Sequence, residues 1–311
     1  MFEKEQNQII ASLNVPSAAK SWLIIGPRGV GKRVLAEQLV VALTKNRYDF
    51  NPDVRWIECG LTDAAKKEIQ KALLAGEQIE DKEWSKKKEI SVDDVREACH
   101  FLSLKSNKIK VLVFNLADNM SEEAQNALLK TLEEPYPNSL ILLLTENIGH
   151  LFPTILSRCQ KVSLIPPTLQ ELDAIMIKKY PQLSEEERQD IARLADYLPG
   201  IVDDIVANQG VDLYYRLNNL IVPANQINGG DVLTFAAAVE HDNMALSLCR
   251  RFLLKIIAQK AIETSGISME KSYVFSSLYD KISQLFAQMD ELNLDKKETI
   301  VSTIYQLSEA L

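Results

Sequence analysis

The sequence predicts an α/β half built on a doubly wound parallel sheet, followed by an all-α half made of a small helical module and a helical bundle. Three observations carry the prediction. Uninterrupted apolar runs at Trp22–Ile25, Lys110–Phe114 and Leu140–Leu144 have the composition of strands buried on both faces. Segments of helical period separate those runs, and strands alternating with helices build parallel sheets. Beyond Pro166 and Pro167 the strand signal stops, and apolar residues recur only at helical spacing. The expected division is residues 1–165 for the sheet domain, 166–210 for the small module and 211–311 for the bundle.

Taken in order, residues 5–14 are amphipathic and read as a short helix. The run Trp22-Leu23-Ile24-Ile25 ends abruptly at Gly26, as a buried strand does when it meets a glycine turn, and helical spacing resumes from Val34 to Leu43. Arg55–Glu58 reads as a second strand. The stretch 61–88 is charged and helix-prone without an apolar face, so it reads as a surface insertion. Ser91 can cap a helix running to about Leu104, with Asp93 and Asp94 suiting the positive end of its dipole. After the strand at 110–114, Ser121-Glu122-Glu123 opens a helix that Pro135 stops. Strands at 140–144 and 162–165 complete the sheet. Short helices are expected at 168–179, 184–197 and 201–208, and long amphipathic ones near 231–241, 243–264, 271–289 and 294–310.

A chain of 311 residues exceeds a single core, and 46% hydrophobic with 25% charged residues is an ordinary globular composition. The formal charge of -8 argues against a free-standing DNA binder, which needs cations to displace the counterions of phosphate. No run approaches the roughly 20 apolar residues of a membrane span, and Met1–Glu5 does not begin a leader, so a cytoplasmic protein without membrane contact is expected. Cys59, Cys99, Cys159 and Cys249 lack the short paired spacing of zinc ligands. They read as free, mostly buried thiols, with no metal site. His100, His150 and His241 are scattered and read as ordinary.

Gly26-Pro27-Arg28-Gly29-Val30-Gly31-Lys32-Arg33 nearly fills the phosphate-loop template G-x-x-x-x-G-K-[ST], in the required place between a strand and a helix. Gly26, Gly29 and Gly31 would let backbone amides face phosphate oxygens, and Lys32 would reach the terminal phosphates. The final hydroxyl, which holds magnesium, is replaced by Arg33. The strand that should end in metal-holding acids reads Val113-Phe114-Asn115-Leu116, with no carboxylate before Asp118. Two metal-linked positions are thus missing, and own-site hydrolysis is not expected.

Ala127-Leu128-Leu129-Lys130-Thr131-Leu132-Glu133-Glu134-Pro135 and Ser157-Arg158-Cys159 resemble the bacterial DNA polymerase III clamp loader family of AAA+ proteins, and the worn loop resembles its delta-prime type. The resemblance covers roughly the first 165 residues strongly and the helical remainder, lid module and collar bundle, only by layout. It implies a ring whose ATP sites lie between subunits, each completed by an arginine from the next. Arg158, a lone arginine following a strand in this reading, occupies the matching position, where such a guanidinium contributes about 10³ to 10⁵ in rate in other phosphoryl-transfer systems. Implied partners are the gamma/tau motor subunits and delta, with the sliding clamp and primed DNA reached through the assembled complex. That complex carries DNA-directed DNA polymerase activity. No cofactor is required; at most weak ATP or ADP binding through Lys32 is expected.

Departures from the family pattern bear on cofactors. The four-cysteine zinc module that many delta-prime subunits carry is represented only by Cys59, so no zinc is expected. Asn51-Pro52-Asp53 and Val92–Arg96 still resemble the flanking segments. Leu198–Val202 lacks the arginine that motor subunits present to nucleotide. In the C-terminal helices, Phe252, Leu253, Ile256 and Ile257 form a stripe that is either core or part of a collar interface. Two rivals stay open: an ATP-hydrolysing motor of the same family, which needs a hydroxyl at position 33 and acids near 115–116, and a stand-alone nucleotide-binding switch.

Overall fold

The computed structural model describes residues 2–13, 20–44, 51–59, 89–292 and 294–311; the stretch expected as a surface insertion lies outside the described residues. The chain divides into two compact units, residues 1–166 and 167–311.

The first unit runs α1 (Glu3–Leu13), β1 (Ser21–Ile25), α2 (Lys32–Thr44), β2 (Val54–Ile57), α3 (Val92–Ser103), β3 (Lys110–Phe114), α4 (Glu122–Glu133), β4 (Ser139–Thr145), α5 (Pro153–Arg158) and β5 (Gln160–Ser163). The strands form one parallel sheet in the order β2-β3-β4-β1-β5. β3 and β4 are buried along their whole length, which explains their lack of polar alternation. Leu23, Leu112, Phe114, Ile141 and Leu143 share one face and pack with Val95, Phe101, Leu128 and Ile155 from α3, α4 and α5. The alternating residues Trp22, Ile24 and Leu142 are buried on the opposite face, the side on which α2 and α1 lie. Even Lys110, at the start of β3, is buried: its Nζ donates to the carbonyls of Phe101 and Leu104, both at 2.6 Å, and closes the end of α3.

Two elements differ from expectation. α5 is six residues long, too short for an apolar period to show, and it starts on Pro153. The last strand is Gln160–Ser163 rather than 162–165; with only Val162 buried, it has no apolar run to mark it. Leu164 keeps one bond to the sheet, its N–H donating to Ile25 O at 2.7 Å, before Pro166 and Pro167 lead the chain away.

The second unit contains α6 (Leu169–Lys179), α7 (Glu185–Leu194), α8 (Pro199–Ala207), α9 (Gly210–Leu220), α10 (Gly229–Val239), α11 (Asn243–Ser265), α12 (Met269–Leu292) and α13 (Lys296–Ala310), with no strand among the described residues. α7 stops three residues before the expected Tyr197. Asp196 and Tyr197 turn to positive φ, and Tyr197 N–H returns to Ala192 O. α9, which the sequence marks only as helical chain, starts after Gln209 at φ 50°. The stripe Phe252, Leu253, Ile256 and Ile257 is buried within this unit, together with Ile282, Phe286, Ile300, Ile304 and Leu307, and is therefore core. Among the described residues no helix is long and apolar enough to cross a membrane.

Candidate functional site

The carboxyl ends of β1, β4 and β5 lie abreast, with Ile25 paired to both Thr145 and Ser163. The strand order reverses direction at β1, and ligands of open α/β sheets bind at such a crevice. The Gly26–Arg33 loop sits there. Gly29 and Gly31 have φ of 83° and 108°, values that L side chains rarely adopt. At Gly26 the constraint is space, since a Cβ would fall 2.9 Å from Leu164 O. A Cβ at Gly31 would fall 2.8 Å from the ring of Phe2, which covers that side of the loop.

Lys32 opens α2 with only 7% of its surface exposed. Its Nζ donates to Gly26 O at 2.7 Å and Pro27 O at 3.1 Å and lies 3.6 Å from Glu146 Oε1. Burial lowers its pKa from the ordinary lysine value, against the opposing pull of the Glu146 and Asp118 carboxylates. Arg33 turns outward: Nε meets Glu37 Oε1 at 3.0 Å, Nη1 meets Glu58 Oε1 at 3.4 Å, and the guanidinium stands 5.2 Å from the Trp56 ring centroid.

After β3 the chain makes a left-handed turn at Leu116, φ 58°, into a short 3-10 segment, Ala117–Asn119. This delivers Asp118 beneath the end of β4, where Oδ2 accepts the Glu146 and Asn147 N–H groups at 3.2 and 3.1 Å. Asp118 Oδ1 and Thr145 Oγ1 are buried and have no hydrogen-bond partner among the described residues. Residues far apart in sequence thus surround one ammonium group. Glu146 escaped sequence reasoning; its signal was its place directly after a buried apolar strand at the sheet's carboxyl end.

Arg158 does not follow a strand, contrary to the sequence reading; it ends α5 and precedes β5. The reason is the Pro153 start, which makes 153–158 a helix rather than a loop. Gln125, 3% exposed on α4, fixes that start: Oε1 accepts Phe152 N–H at 2.8 Å while Nε2 donates to His150 O at 3.0 Å. The Arg158 side chain remains one-third exposed. Nη1 donates to Thr154 O at 2.9 Å and Ser157 Oγ at 3.3 Å, and Nη2 donates to Glu133 Oε1 at 2.5 Å. Among the described residues, no hydrogen bond or ion pair joins Arg158 to the loop residues Gly26, Gly29, Gly31 or Lys32. Cys159 is buried, and burial pushes its thiol up to about 12. No group of three or more His, Cys, Asp or Glu among the described residues is placed to hold a metal ion.

A family described as "DNA polymerase III, delta subunit" matches residues 3–168. The delta' subunit of DNA polymerase III from Pseudomonas aeruginosa is 34% identical over 158 residues, covering 50% of this chain and 46% of that one. The gamma subunit from Buchnera aphidicola subsp. Acyrthosiphon pisum is 32% identical over 140 residues, covering 45% of this chain and 36% of that one. The chain therefore spans less than half the length of these curated relatives. A crystallographically solved DNA polymerase III gamma subunit-related protein from Thermotoga maritima superposes with a TM-score of 0.58 at 19% identity, covering 99% of this chain and 98% of that one, and shows the same fold. With the family match extending over more than half of its residues, the chain belongs to the DNA polymerase III, delta subunit family, the clamp loader family that Ala127–Pro135 and Ser157-Arg158-Cys159 resemble.

Proposed function

We propose that the chain is a delta-prime-type subunit of a DNA polymerase III clamp loader, a ring member that does not hydrolyse ATP and supplies Arg158 to the ATP site of a neighbouring motor subunit. The observation that carries the reading is the presentation of Arg158: a partly exposed guanidinium held by three hydrogen bonds at the end of a helix that is itself pinned by Gln125. A fixed cation of this kind stabilises charge on a transferred phosphoryl group without reorganising during the reaction.

The loop supports the other half of the reading. A magnesium-bound nucleotide needs oxygen at position 33 and carboxylate at the end of β3. The chain offers a guanidinium engaged with Glu37 and Glu58 at the first place, and Phe114-Asn115 at the second. These residues do not fit the metal, and no nucleotide or zinc is required of this subunit. Its partners are the gamma/tau motor subunits and delta, with residues 166–210 as lid module and 211–311 as collar. The sliding clamp and primed DNA are reached through the assembly, whose polymerase activity belongs to the whole, in the cytoplasm.

Reconstitution with motor subunits, delta and clamp tests the assignment. Arg158→Ala is expected to lower clamp-stimulated ATP turnover by about tenfold or more, through loss of the cation at the transferred phosphoryl group, while the complex still elutes intact. Unchanged turnover removes Arg158 from this role. Similarity to a gamma subunit favours a second reading, a hydrolysing motor; magnesium-dependent turnover by the isolated chain would establish it instead.

A further inference from the structure

We propose that Glu146 is a built-in counter-anion that occupies the phosphate position at Lys32 and keeps polyphosphates out of the loop; the proposal rests on the reading of that loop as non-hydrolysing. An ammonium group has three donors. At Lys32 two are directed to the Gly26 and Pro27 carbonyls, and the third side of the nitrogen faces Glu146 at 3.6 Å. A terminal phosphate can take up the lysine only by displacing that carboxylate.

The carboxylate is delivered there by the fold. Gly26 N–H donates to Thr145 O at 3.2 Å, which ties the start of the loop to the end of β4, and Glu146 is the next residue. The Glu146 and Asn147 amides are both held by Asp118 Oδ2, so the segment bearing the carboxylate is fixed at two points. Asp118 adds a second negative charge near the lysine. A triphosphate approaching Lys32 therefore meets two carboxylates around one cation, in a partly buried setting where like charges a few ångströms apart repel far more strongly than in water. On the far side of the loop the Phe2 ring lies where a side chain at Gly31 would be.

The loop and its surroundings nevertheless keep the means of holding an oxyanion. Thr145, fully buried, has an Oγ1 with no hydrogen-bond partner among the described residues, and the glycines still shape the loop. On this account the site is a latent polyphosphate site closed by one acid, and neutralising that acid opens it.

Binding of ATP, and of inorganic pyrophosphate as a nucleoside-free probe, is measured by calorimetry on the 311-residue chain, Glu146→Gln, Phe2→Ala and Glu146→Gln/Lys32→Ala. Thermal unfolding confirms that each variant is folded. Glu146→Gln, which keeps shape and removes charge, is expected to bind both probes about tenfold or more tighter than the parent, the scale of a like-charge contact relieved. The double variant is expected to lose the gain. Glu146→Gln without a gain overturns the proposal, as does a gain that appears only in Phe2→Ala, which would make the ring the plug. Neither result disturbs the non-hydrolysing reading, which fails separately if the parent chain turns ATP over.

Discussion

Burial decides the chemistry of the thiol beside Arg158. Cys159 is 8% exposed and Cys249 fully buried, and each is pushed up to about 12 because the apolar surroundings disfavour the thiolate. At pH 8 the reactive thiolate fraction is then about 10⁻⁴, so iodoacetamide is expected to leave both residues unmodified in the native chain and to label both after denaturation. Peptide mapping by mass spectrometry reads the result; rapid native labelling of Cys159 would show that the end of α5 opens. Residues of this kind were legible in sequence because motifs name them: Lys32 by its loop, Arg158 by Ser157 and Cys159. Their partners were not. Glu133 lies 25 positions from Arg158, and Asp118 lies 28 and 29 positions from the two amides that donate to it, and only strand order brings such pairs together. Glu146 has no motif at all, and its importance follows from the distance to one nitrogen.

Helix starts are where local chemistry speaks most clearly. Ser91, Thr168 and Ser184 each cap a helix, and the backbone N–H of each donates in return to the carboxylate of an acid three residues on, Asp94, Glu171 and Glu187. The Ser91 box joins the bridge between Ile90 and Met120, so it fixes both where α3 begins and how it lies beside the turn that carries Asp118. Ser91→Ala is expected to cost about 1 kcal/mol of stability, through loss of the two side-chain bonds that Ser91 Oγ makes with Asp94, one from its amide and one to its carboxylate. A urea midpoint equal to that of the parent would contradict this. Long buried strands and capped helices were legible because each carries a local mark, an uninterrupted apolar run in the one and a capping side chain in the other. The short elements were not. α5 shows no period in six residues, and β5 is an edge strand with one buried side chain, so both are set by packing on α4 and pairing with β1.

At the scale of the whole chain, the change from strand-bearing to strand-free sequence falls at Pro166–Pro167, where the two compact units divide. Each unit has a core made from its own residues. In residues 167–311 that core runs through α11 with Leu246, Cys249, Phe252 and Ile256, through α12 with Phe275, Ile282 and Phe286, and through α13 with Ile300, Ile304 and Leu307. It is further tied internally, since Arg251 and Lys255 on α11 both pair with Asp196 at the end of α7. A helical segment of this length with a continuous core lies within the range of independently folding domains. Its contacts are mostly between neighbours along the chain, which also favours rapid folding. Residues 167–311 produced alone are therefore expected to give a helical circular dichroism spectrum and a cooperative thermal transition. A fragment that melts without a transition would mean that its core is completed only by residues 1–166. Retained folding would show instead that the helical half can be varied, and its exposed Ile262, Ile267, Met269 and Tyr273 tested as a contact surface, without disturbing the sheet that positions Lys32, Glu146 and Arg158.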